Sequence, residues 1–177
     1  GDTILRGLLL VTEISLLVWG ALQASLVVYV EVEYATMRDN YKKLFQLCLG
    51  SHKEEDVLNA TWAITLALRR EYEGAYGRRR LTPSRLVQGS SVSALIPILS
   101  LYCRRGGMNK LIVVQRVGAC GEFASAVITL LRDIAGLYAR KVYFEGIDHS
   151  LPEVYFRREW WVFDAYYTTP VHPVRAE

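Results

Sequence analysis

Three residues whose types make a thiol nucleophile, its base and the base's orienting carboxylate stand in order in the last third of the chain: Cys120, His149 and Asp164. Cys120 lies in Gly118-Ala119-Cys120-Gly121-Glu122-Phe123-Ala124. The small residues before it allow a tight loop and a close approach of substrate backbone. Apolar residues then recur at Phe123, Val127, Leu130, Leu131 and Ile134, which predicts a helix from about Cys120 to Ala135, capped at its end by Gly136. A thiol at a helix N-terminus feels the positive end of the dipole, and the thiolate this favours is the nucleophilic form. Taken alone, Cys120 fits a buried small hydrophobe equally well. Glu122, an acid in the first helical turn, suits the dipole and is expected to be structural.

His149 opens a predicted strand, His149 to Phe156, and Asp164 closes the apolar run Trp160-Trp161-Val162-Phe163 in a strand predicted from Glu159 to Tyr166. A hairpin turning near Phe156–Arg158 brings positions 149 and 164 opposite one another, within a residue of register. Directly opposed residues share a sheet face with Cβ atoms about 5 Å apart, so the imidazole reaches the carboxylate. That is the base and orienter of a catalytic triad.

These elements resemble the transglutaminase-like superfamily of papain-like thiol enzymes. The likeness rests on G-x-C-x-E-[FY]-A around Cys120, D-H-x-x-x-E-V-Y around His149 and W-W-V-x-D ending at Asp164. It covers about Asn59 to Pro170. The resemblance implies that Cys120 is the acyl-accepting nucleophile, His149 the general base and acid, and Asp164 the group that orients His149. It implies a protein or peptide substrate, attacked at an amide bond through a Cys acyl-enzyme, with hydrolysis or acyl transfer to follow. The Asp-His pair and the following Glu-Val-Tyr also look like peptide:N-glycanases, although the paired Cys zinc ligands of those enzymes are absent. A binding module that retains the fold without catalysis is a further alternative. Leu151-Pro152 stands where the family often has an aromatic after the His, and Ala165-Tyr166-Tyr167 where many members have Pro; both departures bear on substrate preference. The Cys120 backbone N–H is one expected oxyanion donor. The resemblance offers Gln115, as in papain-like enzymes, or Trp62 or Tyr76, as in transglutaminases, for the second.

The elements that must position these residues predict an α+β fold, helices first and an antiparallel sheet second, with the cysteine at a helix N-terminus. Tyr138 to Glu145 alternates as a strand ahead of the hairpin. Tyr34, Met37, Tyr41, Leu44, Phe45 and Cys48 recur at helical spacing, and Asn59 offers an N-cap for a helix to about Tyr72. Pro83-Ser84 starts a helical stretch that Pro97 interrupts and Gly106-Gly107 closes, and Leu111 to Gln115 reads as a short strand or extended run. The chain thus divides into a hydrophobic segment, 1–33, an amphipathic helix and linker, 34–58, and a catalytic domain, 59–177.

In residues 7–30 only Glu13 is charged and Gln23 is the other strongly polar residue, and the run is long enough to span a bilayer. A membrane anchor is the expectation, with a buried core helix or a pair of strands through Val28, Val30 and Val32 as the alternative. Arg6 ahead of the run, with Glu31 and Glu33 after it, places the domain outside the cytoplasm, a cytoplasmic domain being the other reading.

The chain has 177 residues, half of them apolar, and a net charge of +3. Its basic residues are scattered apart from Arg78-Arg79-Arg80, so no nucleic-acid face is expected. Three cysteines are too few for a disulfide scaffold, although Cys48 and Cys103 would pair in an oxidising compartment. No phosphate loop, dinucleotide fingerprint or metal-ligand spacing appears, His52 and His172 included, so no cofactor or metal is expected.

Overall fold

The structure, a computed structural model, describes residues 2–50, 56–74, 82–144, 149–165 and 174–175. It is an α+β arrangement. One helix of 47 residues, α1 (Asp2–Cys48), runs unbroken from the apolar segment into the amphipathic one. At 1.5 Å per residue it is about 70 Å long. Its domain-facing stripe is Gln23, Val30, Tyr34, Met37, Tyr41 and Phe45, all buried, at the three- and four-residue spacing of a helix face. Before Gly20 the described side chains are exposed on every side. The β-branched alternation at Val28–Val32 therefore marks no strand; Val30 turns inward while Val28 and Val32 face out. By length and composition α1 is able to cross a membrane.

Helix α2 (Asp56–Glu71) packs on the second half of α1 through Ala60, Ile64 and Leu68. It begins at Asp56, whose charge suits a helix N-terminus, so Asn59 lies inside the first turn and is not the cap. Two two-residue strands, β1 (Glu73–Gly74) and β2 (Val117–Gly118), pair in parallel. Between them run α3 (Pro83–Gln88), α4 (Ser90–Ser93), α5 (Pro97–Tyr102) and α6 (Met108–Gln115). A kink at Cys103–Gly107, with Gly106 at φ 107°, joins α5 to α6. The run Leu111–Gln115 is thus helix, not strand. The reason is its position between two cores: Leu111 packs with Val30, Val87, Leu99 and Cys103, while Ile112 and Val113 pack in the main cluster with α1, α2 and α7. A helix apolar on several sides loses the periodicity that would distinguish it from a buried strand. Cys48 and Cys103 lie in these separate clusters as free thiols, which rules out their pairing.

Helix α7 (Cys120–Ala135) is the centre of the fold and ends at Gly136, φ 63°, as its periodicity predicts. Phe123, Ala126, Val127, Leu130, Leu131 and Ile134 are buried between α1, α2 and the sheet. An antiparallel sheet of order β3 (Tyr138–Phe144), β4 (His149–Phe156), β5 (Glu159–Val162) and β6 (Val174–Arg175) lies on its other side. The β4–β5 turn is Arg157-Arg158, both left-handed at φ 53° and 66°, the conformation that matches strand twist in a two-residue hairpin.

Candidate active site

Cys120 is the first residue of α7 and is buried. Its N-terminal turn is built by Glu122. One oxygen of that carboxylate accepts the Ala119 N–H at 2.9 Å, half of a capping box whose other half Ala119 has no side chain to supply. The other accepts the Thr82 and Ser84 hydroxyls at 2.6 and 2.7 Å. Arg85 approaches Glu122 Oε2 at 3.1 Å. Burial alone would push the Glu122 carboxyl up; the hydrogen bonds from Thr82, Ala119 and Ser84 and the Arg85 charge outweigh it and hold the group below its ordinary value. Gly118 is required here, because a Cβ at that position would lie 2.7 Å from the Glu122 side chain. The structural role expected for Glu122 is therefore larger than a dipole contact: it ties the loop before the cysteine to the start of α3.

His149 stands at the first position of β4, paired with Phe144 of β3. Its ring meets both expected partners. Nε2 lies 3.0 Å from Asp164 Oδ2, and the Cys120 thiol is close enough to act on the ring's protonation. Burial disfavours the imidazolium, but the hydrogen bonds and negative charge of Asp164 and Cys120 prevail, and the His149 pKa is raised. Three residues from a helix end, a strand start and a strand exit thus converge on one imidazole, with the His149–Asp164 contact its closest.

The register that produces this line differs from the expected one. Glu153 pairs with Val162 and Val154 with Trp161, so continuing the ladder would set Asp164 opposite Leu151, two residues from His149. A two-residue offset keeps both side chains on one sheet face, because faces alternate with period two. The contact is therefore a diagonal one, spanned by the length of the imidazole. Beyond the ladder one further bond, Phe163 N–H to the Pro152 carbonyl at 3.0 Å, holds Asp164 in place.

The expected oxyanion donors fare differently. Gln115 does not serve: its Oε1 accepts the Ser84 N–H at 3.0 Å and its Nε2 donates to the Val117 carbonyl at 2.8 Å and toward Glu122 at 3.4 Å. Its amide protons are thus engaged by the Val117 carbonyl and Glu122. Trp62 packs its ring on Phe163, centroids 6.2 Å apart, beside the Asp164 strand and outside the cavity wall next to Cys120. Tyr76 lies outside the described residues, as do His52, His172 and the Arg78–Arg80 triplet. The Ala119 carbonyl accepts the N–H groups of Glu122 and Phe123, and helix geometry directs the amides of Cys120 and Gly121 out of the helix end. These backbone groups remain as the oxyanion candidates.

A cavity of about 330 Å³ opens at this point. Cys120, Gly121 and Ser125 of α7, Lys141 and Tyr143 of β3, Ser150 beside His149 and Arg85 of α3 are among its walls. Lys141 Nζ donates to Ser125 Oγ at 3.2 Å and to the Gly121 carbonyl at 3.4 Å. The sequence reading missed Thr82, Ser84, Arg85 and Lys141. None of them has a motif of its own; only the fold brings them to the cysteine. No protein-family model, curated protein or solved structure matches the chain.

Proposed function

We propose that the protein is a membrane-anchored, transglutaminase-like thiol enzyme with a papain-like catalytic core, acting on amide bonds of proteins or peptides. The observation that carries this reading is the convergence of Cys120, at the N-terminus of a buried helix, with the bonded pair His149–Asp164. His149 takes the thiol proton, and the Cys120 sulfur attacks the substrate carbonyl. The developing oxyanion is met by the backbone N–H groups at the start of α7. As the C–N bond breaks, the imidazolium gives its proton to the leaving amine and a thioester remains on Cys120. Water then releases an acid, or a second amine forms a new amide. Asp164 holds the ring with Nε2 occupied, which turns Nδ1 toward the thiol and stabilises the charged ring.

The apolar half of α1 is the anchor in this reading. Arg38, Lys42 and Lys43 follow the apolar run on the domain side, and by charge bias they hold the domain on the cytoplasmic face. This reverses the orientation drawn from Arg6, Glu31 and Glu33. Protease protection in sealed vesicles reads the sidedness.

The test of the enzyme reading is labelling by a library of electrophilic peptide probes, with adducts located by mass spectrometry and Cys120→Ala as control. Adducts on Cys120 and turnover of the matching peptide amide support it. A thiol inert to both the probes and iodoacetamide at neutral pH points instead to a binding module.

A further inference from the structure

The charge-free stretch Leu86–Cys103 has no part in the chemistry above. Resting on the anchor reading, we propose that the α4–α5 hairpin is a second membrane-embedded element, lying in lipid beside the domain-proximal half of α1.

The first argument is depth. If the protruding residues 3–19 formed the span, Glu13 would sit near its middle, where an ionisable side chain is expensive. Ile14 to Val30 carries no charge and covers about 26 Å as a helix, close to the hydrocarbon core of about 30 Å. In that register Glu13 moves to the far surface. The hairpin then falls inside the lipid, because it packs against this same stretch: the Trp19 indole N–H donates to the Leu95 carbonyl at 2.7 Å, and Ile98 Cδ1 stands 3.8 Å from the Cβ position of Gly20.

The second argument is exposure. Leu95, Ile98 and Leu101 are 68%, 41% and 52% exposed, continuous with the exposed apolar face of α1. The third is polar satisfaction. Gln23, buried in the helix interface, accepts the Ile98 N–H at 3.1 Å and lies 3.5 Å from that of Leu99. Ser100 Oγ donates to the Ser93 carbonyl at 3.0 Å, and the Leu95 N–H bonds the Val92 carbonyl at 2.9 Å. In water the ends of two such short helices need no protein partners. In hydrocarbon each unsatisfied group costs several kcal/mol, and irregular backbone is tolerated only where protein groups satisfy it.

The groove between α1 and α5 offers apolar walls beside the same stretch of α1. Val27, Ile98 and Leu101 are among the walls of a cavity of about 470 Å³, together with Arg105 and with Lys110, which is paired to Glu31 at 2.7 Å.

The test uses the unmodified full chain in phosphatidylcholine vesicles that carry a diazirine on the acyl chain. After photolysis, adducts are mapped by peptide mass spectrometry. The expected result is carbene adducts on both the Ile14–Leu26 and the Ala94–Leu101 peptides at comparable yield per residue, with none on Gly121–Ala135. Adducts on the α1 peptide alone overturn the hairpin inference and leave the anchor standing. Adducts on neither remove the anchor and this inference together.

Discussion

Two carboxylates flank the reacting pair, and their surroundings differ in kind. Glu122 collects donors from Thr82, Ser84 and Ala119 and an ion pair from Arg85. Its strength is spent on fixing backbone: the turn before Cys120 and the start of α3. Asp164 sits where β5 has left the ladder and holds the edge of one imidazole. One carboxylate is built into a knot that has no room for change of charge. The other is aimed at an imidazole, a group able to change its charge. The lesson is that proximity to a nucleophile does not make an acid a participant; what distinguishes the two is whether the partners titrate.

The largest expected effect tests the ground on which both stand. Cys120→Ala should abolish covalent labelling and amide turnover altogether, with the fold retained, because Ala fills most of the volume of a small buried thiol. Residual turnover at the wild-type rate would detach both carboxylates from any chemistry.

Asp164→Asn should come next. It keeps the shape, removes the charge and permits the wrong tautomer. The corresponding change in a serine triad costs about 10⁴ in turnover. A thiol ionises more readily than a hydroxyl, so the expected loss is on the order of 10²–10³, within the range of general acid–base contributions. The imidazole reports the cause. His149 is raised in the wild type by Asp164 and Cys120 against burial, so its NMR titration should lie above the usual value of about 6.5. In Asp164→Asn the burial remains and one supporting charge is gone, so the titration should move down. The sign for stability follows: the His149 contribution is fully present below its unfolded pKa and is lost as pH rises through the raised folded one. An imidazole that titrates alike in both proteins would erase the distinction between the two carboxylates.

Glu122→Gln should act on stability first. Hydrogen bonds to a charged group contribute about 1.5–3 kcal/mol, and the Gln amide cannot accept from Thr82, Ser84 and Ala119 with the same strength. A loss of about 2 kcal/mol is expected, read as a lower midpoint in denaturant. The Glu122 carboxyl is held low, so its contribution is present above the unfolded carboxylate pKa and disappears as pH falls through the folded one. The variant should therefore flatten the acid limb of the stability profile while leaving the His149 titration in place. A shifted imidazole in Glu122→Gln would mean the two regions are one.

The two regions were also unequally legible in the sequence. The limits of α7, β3 and β4 and the turn at Arg157-Arg158 follow from periodicity and turn position, and with them comes the pairing of His149 with Asp164. The Glu122 knot does not, because Thr82, Ser84 and Arg85 stand about forty residues away with no periodic signal. Gln115 was misread for the same reason. Its distance before the cysteine fits an oxyanion donor, and only the approach of α3 reveals that its amide is engaged. Strands as short as β1 and β2 leave no pattern at all, and β6 pairs through only two residues. Helix α6 was hidden by being apolar toward two cores at once.

The smallest effect sharpens the comparison from the hairpin that leads to Asp164. Arg157 and Arg158 both hold left-handed backbone, a conformation costing an L-residue roughly 1–2 kcal/mol and visited readily by Asn and Gly. Arg157→Asn with Arg158→Gly supplies the pair preferred in this turn. Added glycine entropy in the unfolded chain offsets roughly 0.5–1 kcal/mol of the gain. A net stabilisation of about 1 kcal/mol is expected, or roughly 2–4 °C in the unfolding midpoint of a chain this size. The loop length is unchanged, so the register Glu153 with Val162 should hold and keep Asp164 on the same face as His149, two residues along. The His149 titration and the turnover rate should then match the wild type while the midpoint rises. A midpoint that falls would show that the arginines hold the turn by contacts of their own. A rise accompanied by a shifted imidazole would show that the turn's strain is transmitted to Asp164, so that this carboxylate, unlike Glu122, depends on backbone held under tension.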